Sequence, residues 1–181
     1  MRKLERQIRK FNLQRFSGDG TVVGSDIVYL LRVKKDAATE DGVILAFTTQ
    51  NNRSLSSGVG TTQTKDGPVA TPGTVEETLS VTSYFKKGDA MVSKLEEALK
   101  EGDVMEIWEA DLSQPKTGNK YAGRYWEGRI SSWALSSPAD GLVEVSTEYV
   151  LEGGGKKGDV TVTDEQREEA YEFKDTLAEG A

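Results

Sequence analysis

Between Asp103 and Leu151 the chain leaves little room for anything but strands. Val104 to Ala110 is apolar and aromatic, and a stretch rich in breakers follows it, with Ser113, Pro115, Gly118 and Asn119. Tyr121 to Leu135 comes next, carrying Tyr125, Trp126, Ile130 and Trp133, and Ser136 to Gly141 breaks the chain again. The third run is Leu142 to Leu151. There Val143, Val145, Thr147, Tyr149 and Leu151 alternate with Glu144, Ser146 and Glu148, the period of a strand with one buried and one wet face. β-Branched and aromatic side chains suit such a half-buried pleated surface. All three tryptophans lie in this span, so the meander is expected to be the core sheet.

Three further strands are expected before it. Ile27 to Val33 and Val43 to Thr49 are apolar at nearly every position, the pattern of strands covered on both faces. Val75 to Phe85 alternates, with Val75, Leu79, Val81 and Phe85 opposite Glu76, Thr78, Ser80 and Thr82. A helix is expected over 89–101, capped by Asp89 and ended by Gly102, with Met91, Leu95, Ala98 and Leu99 as its apolar stripe. After Leu151 the run Gly153 to Asp159 reads as a flexible link and Val160 to Val162 as a short edge strand at most. Thr163-Asp164-Glu165-Gln166 matches a capping box, so a C-terminal helix and tail are expected over 163–181, with Ala170, Phe173 and Leu177 facing inward.

Residues 50–73 break this pattern. They are almost all Asn, Ser, Thr, Gly, Gln and Pro, with Leu55, Val59, Val69 and Ala70 the few apolar members. Such a segment cannot order itself by apolar burial. It reads either as a floppy surface loop or as an arm that pairs with a neighbouring subunit. In the second case Ser54–Ser57 and Thr61–Thr64, split by Gly58-Val59-Gly60, would form a protruding hairpin.

Composition excludes several classes of function. There is no Cys and no His among 181 residues, which removes disulfides, thiolate metal sites and the commonest general base. Serine nucleophiles therefore lack a histidine partner. The Gly153 to Gly158 run lacks the spacing of a phosphate loop. Glu106, Glu109 and Asp111 lie on alternate faces of one strand, with nothing in the sequence to set them across a cleft. No calcium-loop pattern occurs, and no apolar run approaches the roughly 20 residues of a membrane span. No apolar stretch follows the first basic residues, so a signal peptide is not expected. The net charge of −7 is uneven: residues 1–15 carry +5 and the remainder −12. The basic arm suits DNA, an acidic lipid face or an acidic surface on another copy. Leu4, Ile8 and Phe11 give it a weak helical stripe.

The order of these pieces resembles the major tail protein, or tail tube protein, family of long non-contractile bacteriophage tails. The likeness rests on Thr64-Lys65-Asp66-Gly67-Pro68 and Pro72-Gly73 in the polar segment, then Lys87-Gly88-Asp89 before the helix. It continues with Glu106-Ile107-Trp108-Glu109, Tyr125 and Gly128, Lys157-Gly158 and Val162-Thr163-Asp164-Glu165-Gln166. It spans roughly Asp26 to Thr176.

The resemblance implies a mainly β fold with α. This would be a β-sandwich or barrel flanked by one central helix, with a long inter-subunit loop, an N-terminal arm and a C-terminal helix. The divisions would be a basic arm at 1–20, a β-sandwich domain at 21–162 with its inter-ring loop at 50–73, and the C-terminal helix. It implies a structural virion protein and no enzyme, without cofactor or metal. Six copies would form a ring, and stacked rings would form the conduit for genome ejection. Four strands per subunit would line the bore. A tape measure protein would occupy the tube, tail terminator and distal tail proteins would hold its ends, and DNA would pass without specific binding. No membrane is involved, and assembly would take place in the host bacterial cytoplasm. Assembly contacts are expected from Asn51, Asn52, Arg53, Leu55, Val59, Lys65, Asp66 and Pro68, and from Arg2, Leu4, Arg6, Ile8, Arg9 and Phe11 of the arm. Glu76, Glu144 and Glu148 are the candidate lumen acids, because an acidic bore lets DNA slide without sticking. The alternative is a monomeric β-sandwich carbohydrate- or host-binding module of a phage or surface protein. Such a module would be expected to expose aromatics in its long loop, and residues 50–73 contain none.

Overall fold

The computed structural model describes residues 21–164 and Gln166. The expected basic arm at 1–20, and the expected C-terminal helix beyond its first turn, lie outside the described residues. The strands are β1 (Ile27–Val33), β2 (Thr48–Ser57), β3 (Gly60–Thr64), β4 (Gly67–Thr71), β5 (Val75–Tyr84), β6 (Met105–Pro115), β7 (Lys120–Ser136) and β8 (Glu144–Thr161). One α-helix, α1 (Ala90–Glu101), stands among the described residues. Its cap is the expected one: Asp89 accepts a hydrogen bond from the Met91 backbone at 2.9 Å.

The main sheet is antiparallel, in the order β1-β6-β7-β8-β5-β2, so the meander of β6, β7 and β8 lies at its centre. The sheet curls until its two ends face each other. Tyr29, Leu31 and Val33 of β1 then share one core with Ile107, Trp126, Tyr149, Leu79 and Val81, and α1 closes it with Met91, Leu95 and Ala98. Burying each such aliphatic or aromatic side chain contributes about 1.5–3 kcal/mol. The other face of β1 is covered too. Leu30 joins Ala110, Tyr121, Val160 and Val162 in a second cluster, as its uninterrupted apolar sequence implies.

Three expectations are corrected. Val43 to Phe47 is not a strand, and β2 begins only at Thr48. Val43 makes a single bridge to Leu31, Leu45 enters the core, and the chain turns at Phe47, whose φ is 53°. Its apolar character serves burial without a ladder.

The glycine run is not a flexible link. β8 passes through it and stays paired with β7 on both sides. Glu152 opposes Glu127 and Lys156 opposes Tyr125, so three glycines stand against Trp126 alone. Gly153, Gly154 and Gly155 all take left-handed backbone, φ 69–75°, which bends the strand without ending it. Val160 is therefore part of a long strand rather than a short one, although its half of β8 has β7 as its single strand neighbour among the described residues.

The polar segment is ordered. Ser54 to Ser57 pair with Val75 to Thr78 as the end of β2, and the hairpin is instead β3 with β4, turning at Lys65-Asp66. The turn signal was Asp66-Gly67. At the hairpin's base the chains cross so closely that a Cβ on Gly73 would lie 1.4 Å from the Gly58 carbonyl oxygen.

Candidate assembly surfaces

The register of β7, β8, β5 and β2 sets out one polar face. Glu144 lies opposite Tyr84 on one side and Ser136 on the other, and Glu148 opposite Ser80 and Ser132. Glu76 pairs with Ser56 and shares the face of Ser80, so the three predicted acids stand on one surface. Ser146, Thr78, Thr82, Gln50, Asn52 and Ser54 surround them, and Tyr84, Ala134, Val150 and Arg129 share the face, Arg129 lying 3.8 Å from the Glu152 carboxylate. Several hydrogen-bond within the wall. Ser131 Oγ donates to the Glu148 carbonyl at 3.2 Å, and the Thr82 and Ser146 hydroxyls lie 3.4 Å apart. Glu152 belongs to the same face, opposite Glu127. Sequence reasoning missed it because the glycines after it were taken as the strand's end. No apolar layer covers this wall among the described residues.

Both side edges of the wall are open among the described residues. β2 pairs only with β5. β6 pairs with β7 from Tyr121 to Gly128, which leaves the second half of β7 with β8 as its single neighbour.

The expected assembly residues divide. Asn52, Leu55, Val59, Lys65, Asp66 and Pro68 are exposed. Arg53 turns inward. Its guanidinium donates to Glu77 at 2.7 Å and to Glu109 at 2.9 Å, and lies 5.4 Å from the centre of the Trp126 ring. Trp126 Nε1 donates to the other oxygen of Glu77 at 3.0 Å, and the Tyr29 hydroxyl donates to Glu109 at 2.5 Å. Burial, with the Glu109 hydrogen bond, pushes the Tyr29 hydroxyl well above its ordinary range. This network ties the outermost strand β2 to β6 and β1. Asn51 also points inward, half-buried, with Oδ1 lacking a hydrogen-bond partner. The arm residues Arg2, Leu4, Arg6, Ile8, Arg9 and Phe11 lie outside the described residues.

The carboxylates of β6 are engaged in structure. Glu106 pairs with Arg32 at 2.6 Å and accepts from the Tyr125 hydroxyl at 3.0 Å. Asp111 accepts from the Ser113 hydroxyl at 2.5 Å, which holds its carboxyl below the usual range. A half-open cleft of about 450 Å³ lies between Leu30, Arg32, Trp108 and Gln166. Asp41, Asp159, Thr161 and Thr163 also line it, and no metal-ligating cluster occurs among the described residues.

Comparison with known proteins bears on these surfaces. A family model described as phage tail tube protein matches residues 21–156. A putative tail protein of Staphylococcus phage phiMR25 is 29% identical over 154 residues, covering 81% of this chain and 80% of that protein. The tail tube protein gp17.1* of Bacillus phage SPP1 is 30% identical over 146 residues, covering 80% of this chain and 54% of that protein. The SPP1 tail tube, solved by solid-state NMR and cryo-EM, superposes with a TM-score of 0.67 at 25% identity, covering 88% of this chain and 96% of that one. The tail of an empty gene transfer agent particle, refined with C6 symmetry, shares the fold at 14% identity. Its TM-score is 0.58, covering 75% of this chain and 98% of that one.

Proposed function

This chain belongs to the phage tail tube protein family, and from that membership we propose that its copies close into rings through the two open edges of the four-strand wall. It is a structural subunit of a phage tail tube. Strand directions alternate across β7, β8, β5 and β2. With an even number of strands, β2 of one copy meets the second half of β7 on the next in the antiparallel sense. Such a head-to-tail contact closes into a ring when its rotation allows, and it pairs the backbone groups that an edge leaves open. The C6 symmetry of the gene transfer agent tail supports six copies.

In the ring the polar wall lines the bore. Glu76, Glu144 and Glu148, with Glu152, oppose the phosphate backbone and keep DNA from adhering. The β3–β4 hairpin reaches the adjoining ring, and rings stack into the tube. The residues at 1–15, with their charge of +5, dock on the acidic surface of a neighbour. A tape measure protein fills the bore before ejection, and tail terminator and distal tail proteins hold the ends. The protein has no catalytic role. It resides in the virion tail and assembles in the host bacterial cytoplasm.

The observation that carries this reading is a polar wall open at both edges in a chain of this family. Negative-stain microscopy of the purified protein at high concentration tests it. Tubes or six-fold rings are expected, and single-chain particles at every concentration would overturn it. Replacing residues 60–71 by a short link should leave rings that do not stack. Removing residues 1–15 should give tubes that dissociate at lower salt.

A further inference from the structure

We infer that the exposed apolar end of the sheet, at the opposite pole from the hairpin, is the seat on which the hairpin of a second copy in the adjoining ring docks. The inference rests on the reading of the hairpin as the link between rings, and it names the surface that receives it.

The seat is built where four strand ends meet. Tyr84 donates its backbone N–H to the Phe47 carbonyl at 3.1 Å, and Phe85 donates to the Val143 carbonyl at 2.8 Å. Leu135 pairs with Val145 beside them. Phe47, Phe85, Leu135 and Leu142 are thereby gathered at one pole, and each is 43–67% exposed. A cluster of large apolar side chains left open to water marks a contact surface. Phe47 adds to this. A non-glycine residue holds a left-handed backbone there and presents its ring outward.

The hairpin and its root carry the matching surface. Leu55, Val59, Val69 and Val75 are 52–63% exposed. A two-stranded ribbon of this kind is marginal in water alone. Thr48 pairs with Ser83 and Ser57 with Val75, so root and seat occupy opposite ends of the same two strands. At about 3.3 Å per residue they lie roughly 30 Å apart. The two surfaces cannot meet within one molecule, and between molecules they meet head to tail, which propagates along an axis. Lys86 and Lys87 flank the seat and Glu76 stands at the hairpin root, while the turn itself carries Lys65 beside Asp66.

The chain has no cysteine of its own, so a disulfide between copies can be read directly. In tubes carrying Val69→Cys with Leu142→Cys, or Val59→Cys with Leu135→Cys, mild oxidation should give a ladder of covalent multimers on non-reducing gels. Dilute subunits should stay monomeric, because their copies are not held in contact, and the two cysteines of one chain lie beyond disulfide reach. Lys86→Glu with Lys87→Glu should lower tube yield at least tenfold while leaving the thermal melt unchanged. Adding Asp66→Lys and Glu76→Lys to the same chain should restore it. Tubes that form without a ladder from either cysteine pair, or a yield indifferent to the charge reversal, would overturn the seat. The separate finding that chains lacking residues 60–71 still make normal tubes would instead overturn the hairpin's role.

Discussion

Arg53 illustrates how one side chain joins distant parts of this fold. It leaves the exposed strand β2, crosses the rim of the core and reaches Glu77 and Glu109. Glu77 is only 5% exposed, so its charge depends on that guanidinium and on the Trp126 N–H. Removing one partner of a buried pair leaves an uncompensated charge, whereas removing both is nearly neutral. Arg53→Met is therefore expected to cost about 2–4 kcal/mol in urea unfolding. The double variant Arg53→Met with Glu77→Gln should regain much of that. A single variant within about 0.5 kcal/mol of the parent would show that the network does not hold β2.

At the scale of elements, the bend in β8 decides how the sheet closes. Three consecutive left-handed glycines face Trp126, but they are not equivalent. A Cβ on Gly155 would come within 2.5 Å of Trp126 Nε1, whereas one on Gly154 meets nothing within 4 Å. Left-handed backbone alone costs a non-glycine residue about 1–2 kcal/mol. Gly154→Ala should lose about 1 kcal/mol, and Gly155→Ala about 3 kcal/mol or more as the indole is displaced. Equal losses in denaturant unfolding would mean that the indole does not pack on the bulge. Trp126 in turn holds Glu77, so the bend and the Arg53 network are mechanically one unit.

For the whole molecule, the distribution of charge and apolar surface matches a part made to be surrounded by copies of itself. Its wet wall is polar and acidic, its side edges are open, and its poles are apolar. Glu144 and Glu148 sit centrally on that wall. Glu144→Lys with Glu148→Lys should leave the subunit folded and assembling, because both face away from the core. The resulting tubes should retain short duplex DNA in a co-sedimentation assay at low salt, where parent tubes do not. Identical retention by both would remove these acids from the bore.

Sequence alone determined what depends on near neighbours. The alternation in β8, the uninterrupted apolar run of β1, the Asp89 cap and the capping box were all legible. The box is seen in Gln166 accepting from the Thr163 N–H at 2.9 Å. Each is a matter of period or of residues a few positions apart. The order of local motifs also sufficed to point to the family. The face shared by Glu76, Glu144 and Glu148 followed from alternation once the strands were placed. Tertiary structure decided the rest. Polar strands such as β2 carry no apolar period, so only pairing with β5 defines them. Glycines read as a break until a partner strand and an indole hold them in line. Arg53 looked like an arm residue because its partners lie 24 and 56 positions away. Chain curvature, which brings such groups within 3 Å, is set by the packing of the whole sheet and is written in no single segment.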